Sequence, residues 1–199
     1  MGRETIIALL VLGCAVGCGT VTKQDEAAAG ATSEVPTDAL ERARGAVGAM
    51  GSDLMGALLE NLESGGPVEA VRVCSEIAPA VGAEHSGEGL LIRRVSMKVR
   101  NPADSPDGYE RALLERWNAL PSAGDLPAES AEVVLVDGRQ VLRYMKPIIV
   151  MQPCLACHGD PALMQDDLKS LLEERYPDDR ALGYGEGDLR GAFSVIVDL

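Results

Sequence analysis

An α+β fold with a mainly antiparallel sheet is predicted by three features of this 199-residue chain. Its first half places apolar residues at helical spacing, and its second half carries alternating apolar runs. Two of those runs flank Asp137-Gly138, a dipeptide that turns one strand back onto the next. Helices first and hairpin-joined strands later is the α+β order.

The length suits one domain with a real core. That core is poor in rings: one Trp, four Tyr and one Phe make up 3% of the chain. It must therefore be filled by Ala, Val, Leu and Ile, or by a group that is not an amino acid. With 18 Lys and Arg against 31 Asp and Glu, the net charge is −13. This argues against nucleic-acid binding and against a polybasic membrane surface.

Residues 1–17 read as a lipoprotein-type signal peptide. Arg3 gives a positive start, and the apolar run Ile6 to Val16 is too short to span a bilayer. Gly13-Cys14 and Gly17-Cys18 both resemble the site where a bacterial signal peptidase cuts before a Cys that becomes lipidated. Cys18 is preferred, because cutting before Cys14 leaves a very short apolar run. A plain signal peptide or an uncleaved anchor is the alternative, and each version exports the protein. The expected location is the periplasmic side of a bacterial membrane, with the lipid as anchor. Residues 18–36, rich in Ala, Gly, Ser, Thr and charge, read as a flexible tether, and the domain is expected over 37–199.

Within it, Thr37 and Asp38 offer an N-cap for a helix running to about Leu62, where Gly65-Gly66 stops it. Pro67 suits the first turn of a second helix reaching about Gly82, with Val71, Cys74, Ile77 and Ala78 on one face. Residues Leu91 to Arg100 alternate: Val95, Met97 and Val99 on one side, Arg94, Ser96, Lys98 and Arg100 on the other. That is the pattern of a half-buried strand ended by Asn101-Pro102. Asp107 caps a helix carrying Leu113, Leu114, Trp117 and Leu120. The hairpin follows over Glu132 to Val136 and Gln140 to Val150, then a short helix over Asp166 to Arg175, then a last strand over Gly191 to Val197.

The chemistry is concentrated in Cys154-Leu155-Ala156-Cys157-His158. C-x-x-C-H is the attachment signature of c-type haem. Two thiols three residues apart can bond the two vinyl groups of the macrocycle, and the adjacent His reaches its iron. Export agrees with this, since c-type haem is attached outside the cytoplasm. Two other readings use the same residues: a redox dithiol made by Cys154 and Cys157, or a structural zinc site adding Cys74 and His158. The first normally follows a strand and opens a helix, whereas here Pro153 precedes and Gly159-Asp160-Pro161 follows. The second asks adjacent Cys and His to share one ion, which is awkward geometry.

With His158 on one face of an iron, the opposite face has five candidates: His85, Met97, Met145, Met151 and Cys74. Cysteine accounting favours Cys74, the thiol left over once Cys14, Cys18, Cys154 and Cys157 are assigned. Packing as a small hydrophobe is its alternative role. Arg93, Arg94 and Arg100 can pair with haem propionates, or form a solvated strand face.

Several segments resemble a known family: exported single-haem c-type domains of PAS-like fold. They are Val73-Cys74-Ser75-Glu76-Ile77-Ala78-Pro79, Ile92 to Pro102, Gln152 to Gly159, Tyr176-Pro177-Asp178-Asp179, and Gly183 to Val195. The resemblance implies a PAS-like antiparallel sheet with N-terminal and flanking helices around one covalently bound haem. It also implies axial ligation by His158 and Cys74. Such domains occur alone or as sensing parts of membrane receptors, and this chain carries no kinase or receptor module. The expected function is a redox- or gas-sensing module, or a low-potential electron carrier, with redox proteins or a diatomic gas as partners. A peroxidase-like haem enzyme is the rival, and so is a small-molecule module in which haem is only structural.

Overall fold

The computed structural model describes Met1 and residues 34–121 and 123–199. The signal segment, most of the tether and Cys18 lie outside the described residues. Among the described residues no helix is long and apolar enough to cross a membrane.

The long helix α1, Thr37–Arg72, starts after Pro36, which is extended and is itself the N-cap. The expected capping by Thr37 or Asp38 is therefore corrected. No side chain caps this end, and Asp38 sits in the first turn, where a negative charge suits the helix dipole. Val35 already packs on the core, two residues before the expected boundary. Gly66, with φ 70° and ψ −167°, breaks α1, and Pro67 restarts it. The second stretch does not stay α-helical. Val73–Ile77 forms a π-turn before α2, Ala78–Glu84, resumes.

Four strands follow: β1 Leu90–Val95, β2 Ser130–Val136, β3 Arg139–Ile149 and β4 Leu189–Asp198. They make one antiparallel sheet in the order β1-β4-β3-β2. The hairpin turns at Asp137 (φ 51°) and Gly138 (φ 78°), both left-handed, as a type I′ turn requires. Pro147 interrupts β3 without harm, because β2 pairing ends at Met145 and β3 is an edge from there.

Strand parity sorts the core. Ile92, Leu142, Tyr144, Val195 and Val197 face α1 residues Ala43, Val47 and Met50. Val95, Met145 and Ala192 face α3, Gly108–Asn118, through Leu113, Leu114 and Trp117. Helix α3 begins with a capping box: the Asp107 carboxylate accepts the Glu110 N–H, and Glu110 accepts the Asp107 N–H. A third cluster joins Val71, Cys157 and α5 (Asp166–Arg175) residues Leu168 and Leu172. This is the α+β, PAS-like layering expected: helices on both faces of an antiparallel sheet.

One strand is shorter than its pattern. β1 stops at Val95, and residues 96–101 turn away from β4. Ser96 and Arg100, expected on the outward side, are buried, at 4% and 6% exposure. The Ser96 hydroxyl donates to the Arg190 carbonyl at 2.7 Å and accepts from Arg190 Nη1 at 2.6 Å. Polar groups satisfied in this way can go inside, so alternation mistook them for a solvent face.

Candidate functional site

Beyond the end of β1 the sheet opens into a cleft of about 300 Å³. Its walls are apolar. Helix α1 supplies Leu54, Met55, Leu58 and Leu62, the stretch after Gly66 supplies Ala70 and Val73, and the sheet supplies Ile148, Ile149 and Phe193. A bulge at Ile148/Ile149 bends β3 at this point.

Cys154, Cys157 and His158 line the same cleft. They are set by a 3-10 turn, Gln152–Cys154, running into the single turn α4, Leu155–His158. A loop after α5 holds this segment. Arg100, buried, donates Nη2 to the Cys157 carbonyl at 2.6 Å and Nε to Asp179 at 2.8 Å. The other Asp179 oxygen accepts the Ala181 N–H at 2.8 Å, and Tyr184 N–H reaches the His158 carbonyl at 3.0 Å. Arg100 also lines the cleft, with its Nε and Nη2 committed to Asp179 and Cys157.

The imidazole of His158 is oriented by one bond. A carbonyl can only accept, so the 2.7 Å contact with the Ala181 oxygen places the proton on Nδ1. Nε2 keeps its lone pair and makes no hydrogen bond among the described residues. Burial pushes the His158 pKa well below its ordinary value, and Arg100 and Arg190 push the same way. A half-buried, neutral imidazole with its distal nitrogen uncommitted has the chemistry to hold a metal. The Tyr184 ring meets it edge-on at 6.3 Å.

The two neighbouring arginines part company. Arg94 lines the cleft and makes no hydrogen bond or ion pair among the described residues. Arg93 lies outside the cleft lining. It donates to the Ala103 and Ser105 carbonyls and pairs with buried Glu110. The expectation for Arg93 is thus not met by its position: successive strand residues point to opposite faces. Arg190 was not expected. It lines the cleft, donates to the Ser96 hydroxyl and the Lys98 carbonyl, and lies 5.5 Å from the Tyr184 ring centroid. With Arg94 it places two guanidinium groups, neither in a direct ion pair among the described residues, at one end of an apolar cleft.

The candidates for the opposite iron face are also separated. Met97 and Met145 belong to the α3 cluster. His85 pairs with Asp53 at 2.7 Å, away from the cleft lining. Met151 lines the cleft, as does Met55, which sequence reasoning passed over. Cys74 lies within the π-turn, between cleft-lining Val73 and half-buried Ser75. Its side chain lies outside the described part.

A family model described as Tll0287-like matches residues 20–198. The chain belongs to the Tll0287-like family. A solved structure described as the cyanobacterial heme-protein Tll0287 is 23% identical, with a TM-score of 0.56. The match covers 82% of this chain and 96% of that one. At that identity the likeness speaks for the fold. No curated protein matches the chain. The Tll0287-like match takes in every cleft residue named above.

Proposed function

We propose that this protein is an exported c-type monohaem redox module, anchored by lipid at Cys18. The observation that carries the reading is the His158 geometry: an imidazole with Nδ1 bonded to a carbonyl and Nε2 uncommitted, next to two thiols in an apolar cleft. The residues fit a haem. The walls suit a flat apolar macrocycle, Cys154 and Cys157 are its attachment sulfurs, and Arg94 and Arg190 suit its two carboxylates. The similar solved structure is that of a heme-protein, which supports the same assignment.

When bound, haem supplies reversible one-electron exchange at iron. The chain's residues tune it. His158, through Nε2, and Cys74, as a thiolate, would hold the iron, and a thiolate there would donate charge and favour the ferric state. The π-turn supports the second role, since such turns concentrate at functional sites. Cys74 as a ligand would leave no open position for peroxide, which favours sensing or low-potential electron transfer over turnover.

The test is intact mass after production in a host able to mature cytochromes. The expected product carries one haem that survives acid-acetone extraction, and the double variant Cys154→Ala with Cys157→Ala loses it. A colourless protein of polypeptide and lipid mass alone sinks the proposal.

A further inference from the structure

The cationic end of the cleft also holds one carboxyl group. Asp104 closes the 3-10 turn Pro102–Asp104 and is the acidic side chain that lines the cleft among the described residues. Its backbone is pinned: its N–H donates to the Asn101 carbonyl at 3.0 Å, and its carbonyl accepts the Ser96 N–H at 3.1 Å. The turn therefore fixes where the carboxyl sits. That carboxyl makes no hydrogen bond or ion pair among the described residues.

The charged groups around it come from three elements. Arg93 and Arg94 stand on β1 and Arg190 on β4, and all three act on Asp104. In the 96–101 segment, Lys98 is spent on the Leu182 carbonyl and Arg100 on Asp179. Among the described residues the cleft is also lined by the titratable side chains of His158, Cys154, Cys157 and Tyr176. Burial outweighs the three arginines and pushes the Asp104 carboxyl above its ordinary value. It is therefore poised to hold a proton if the cleft becomes more negative.

We propose that Asp104 is a proton-binding site coupled to the redox state of the group in the cleft. This rests on the haem reading. One electron enters from an external reductant and lowers the charge in the cleft by one. One proton from water adds to an Asp104 carboxylate oxygen, forming an O–H bond. On reoxidation the external oxidant takes the electron, the O–H bond breaks, and the proton returns to water. By linkage the coupling is reciprocal: protonating Asp104 makes reduction easier. Haem propionates would be held ionised by hydrogen bonds from Arg94 and Arg190, whereas the Asp104 carboxyl makes no hydrogen bond among the described residues.

The experiment is mediated potentiometry of the haem-loaded protein across pH, in wild type and Asp104→Asn. The midpoint potential of wild type is expected to fall as pH rises through the interval in which Asp104, raised above its ordinary value, gives up its proton. The Asn variant, at equal haem content, is expected to be flat there. Redox-difference infrared spectra of wild type labelled with carbon-13 aspartate give a second readout that needs no variant. A protonated-carboxyl band that shifts with the label is expected on reduction. A haem-loaded wild type with flat potential, an Asn variant with the wild-type slope, or no labelled band each overturns the Asp104 assignment and leaves the haem reading standing. A product without haem overturns both.

Discussion

The Nδ1 proton of His158 is given to the carbonyl oxygen of Ala181 at 2.7 Å, and Ala181 is itself held through its N–H by Asp179. Because Asp179 also receives Arg100, whose other arm binds the Cys157 carbonyl, ring orientation and motif backbone are fixed by one set of bonds. The ring is thereby committed to one tautomer before any ligand arrives, which lowers the cost of ordering it on binding.

This arrangement predicts a pH dependence in the haem-free protein. The folded His158 has a pKa well below that of an unfolded histidine. Between the two values the unfolded chain binds more protons, so stability falls as pH drops below about 6.5. The slope contributed approaches about 1.4 kcal/mol per pH unit. Urea unfolding of haem-free wild type and His158→Gln, from about pH 7.5 down to about 5, should show the variant losing less on acidification. Parallel curves would refute the assignment of this titration to His158.

Arg93 and Arg94 should give opposite phenotypes. Glu110 is 1% exposed and is shared between Arg93 and Arg143, the second at 3.5 Å. Arg93→Ala removes one of its two cations and should destabilise by about 2 kcal/mol, less than a fully buried pair because Arg93 is one-third exposed. Haem spectra should not change. Arg94→Ala should leave the melting temperature nearly unmoved and shift the midpoint potential, since its guanidinium has only the cleft to serve. Equal melting losses in both variants would contradict this division.

Local chemistry made much of the molecule legible. The Asp107 cap, the Asp137-Gly138 turn and the helix over Asp166–Arg175 follow from a few adjacent residues. Gly65-Gly66 and Pro67 marked the break in α1 for the same reason. The site was less accessible wherever it depends on partners remote in sequence. Ser96 looked solvent-facing because its partner Arg190 lies 94 residues away. Arg190 and Asp104 join the cleft only through the β1–β4 register and the turn after β1. The π-turn around Cys74 has no local signature, since it inserts one residue into an otherwise helical run. Arg93 was within reach: strand parity alone separates it from Arg94.

Cys74→Ala tests the second ligand. If Cys74 ligates as proposed, replacing its thiolate by nothing, or by a weaker neighbour such as Met55 or Met151, should raise the midpoint potential by on the order of 0.1 V. That is a modest part of the roughly 0.8 V that axial ligands command. The ferric spectrum should change while haem stays attached through Cys154 and Cys157. Unchanged spectrum and potential would return Cys74 to packing.

Gly191 offers a test of how the cleft is built. A Cβ there would lie 2.2 Å from the Val95 carbonyl oxygen, a backbone atom that cannot swing aside. It is at this point that β1 leaves β4, and both residues line the cleft. Gly191→Ala must push the strands apart, and should destabilise by about 2–3 kcal/mol, as overpacking does. It should also disturb the cleft. Gly45 is the control: it is exposed in α1, and a Cβ there meets nothing within 4 Å. Gly45→Ala should stabilise by about 0.5–1 kcal/mol through helix propensity. Thermal melts of the two haem-loaded variants should therefore move in opposite directions, with a spectral change only for Gly191→Ala. A Gly191→Ala protein with wild-type melting and spectrum would mean that the strands do not approach as closely as 2.2 Å implies.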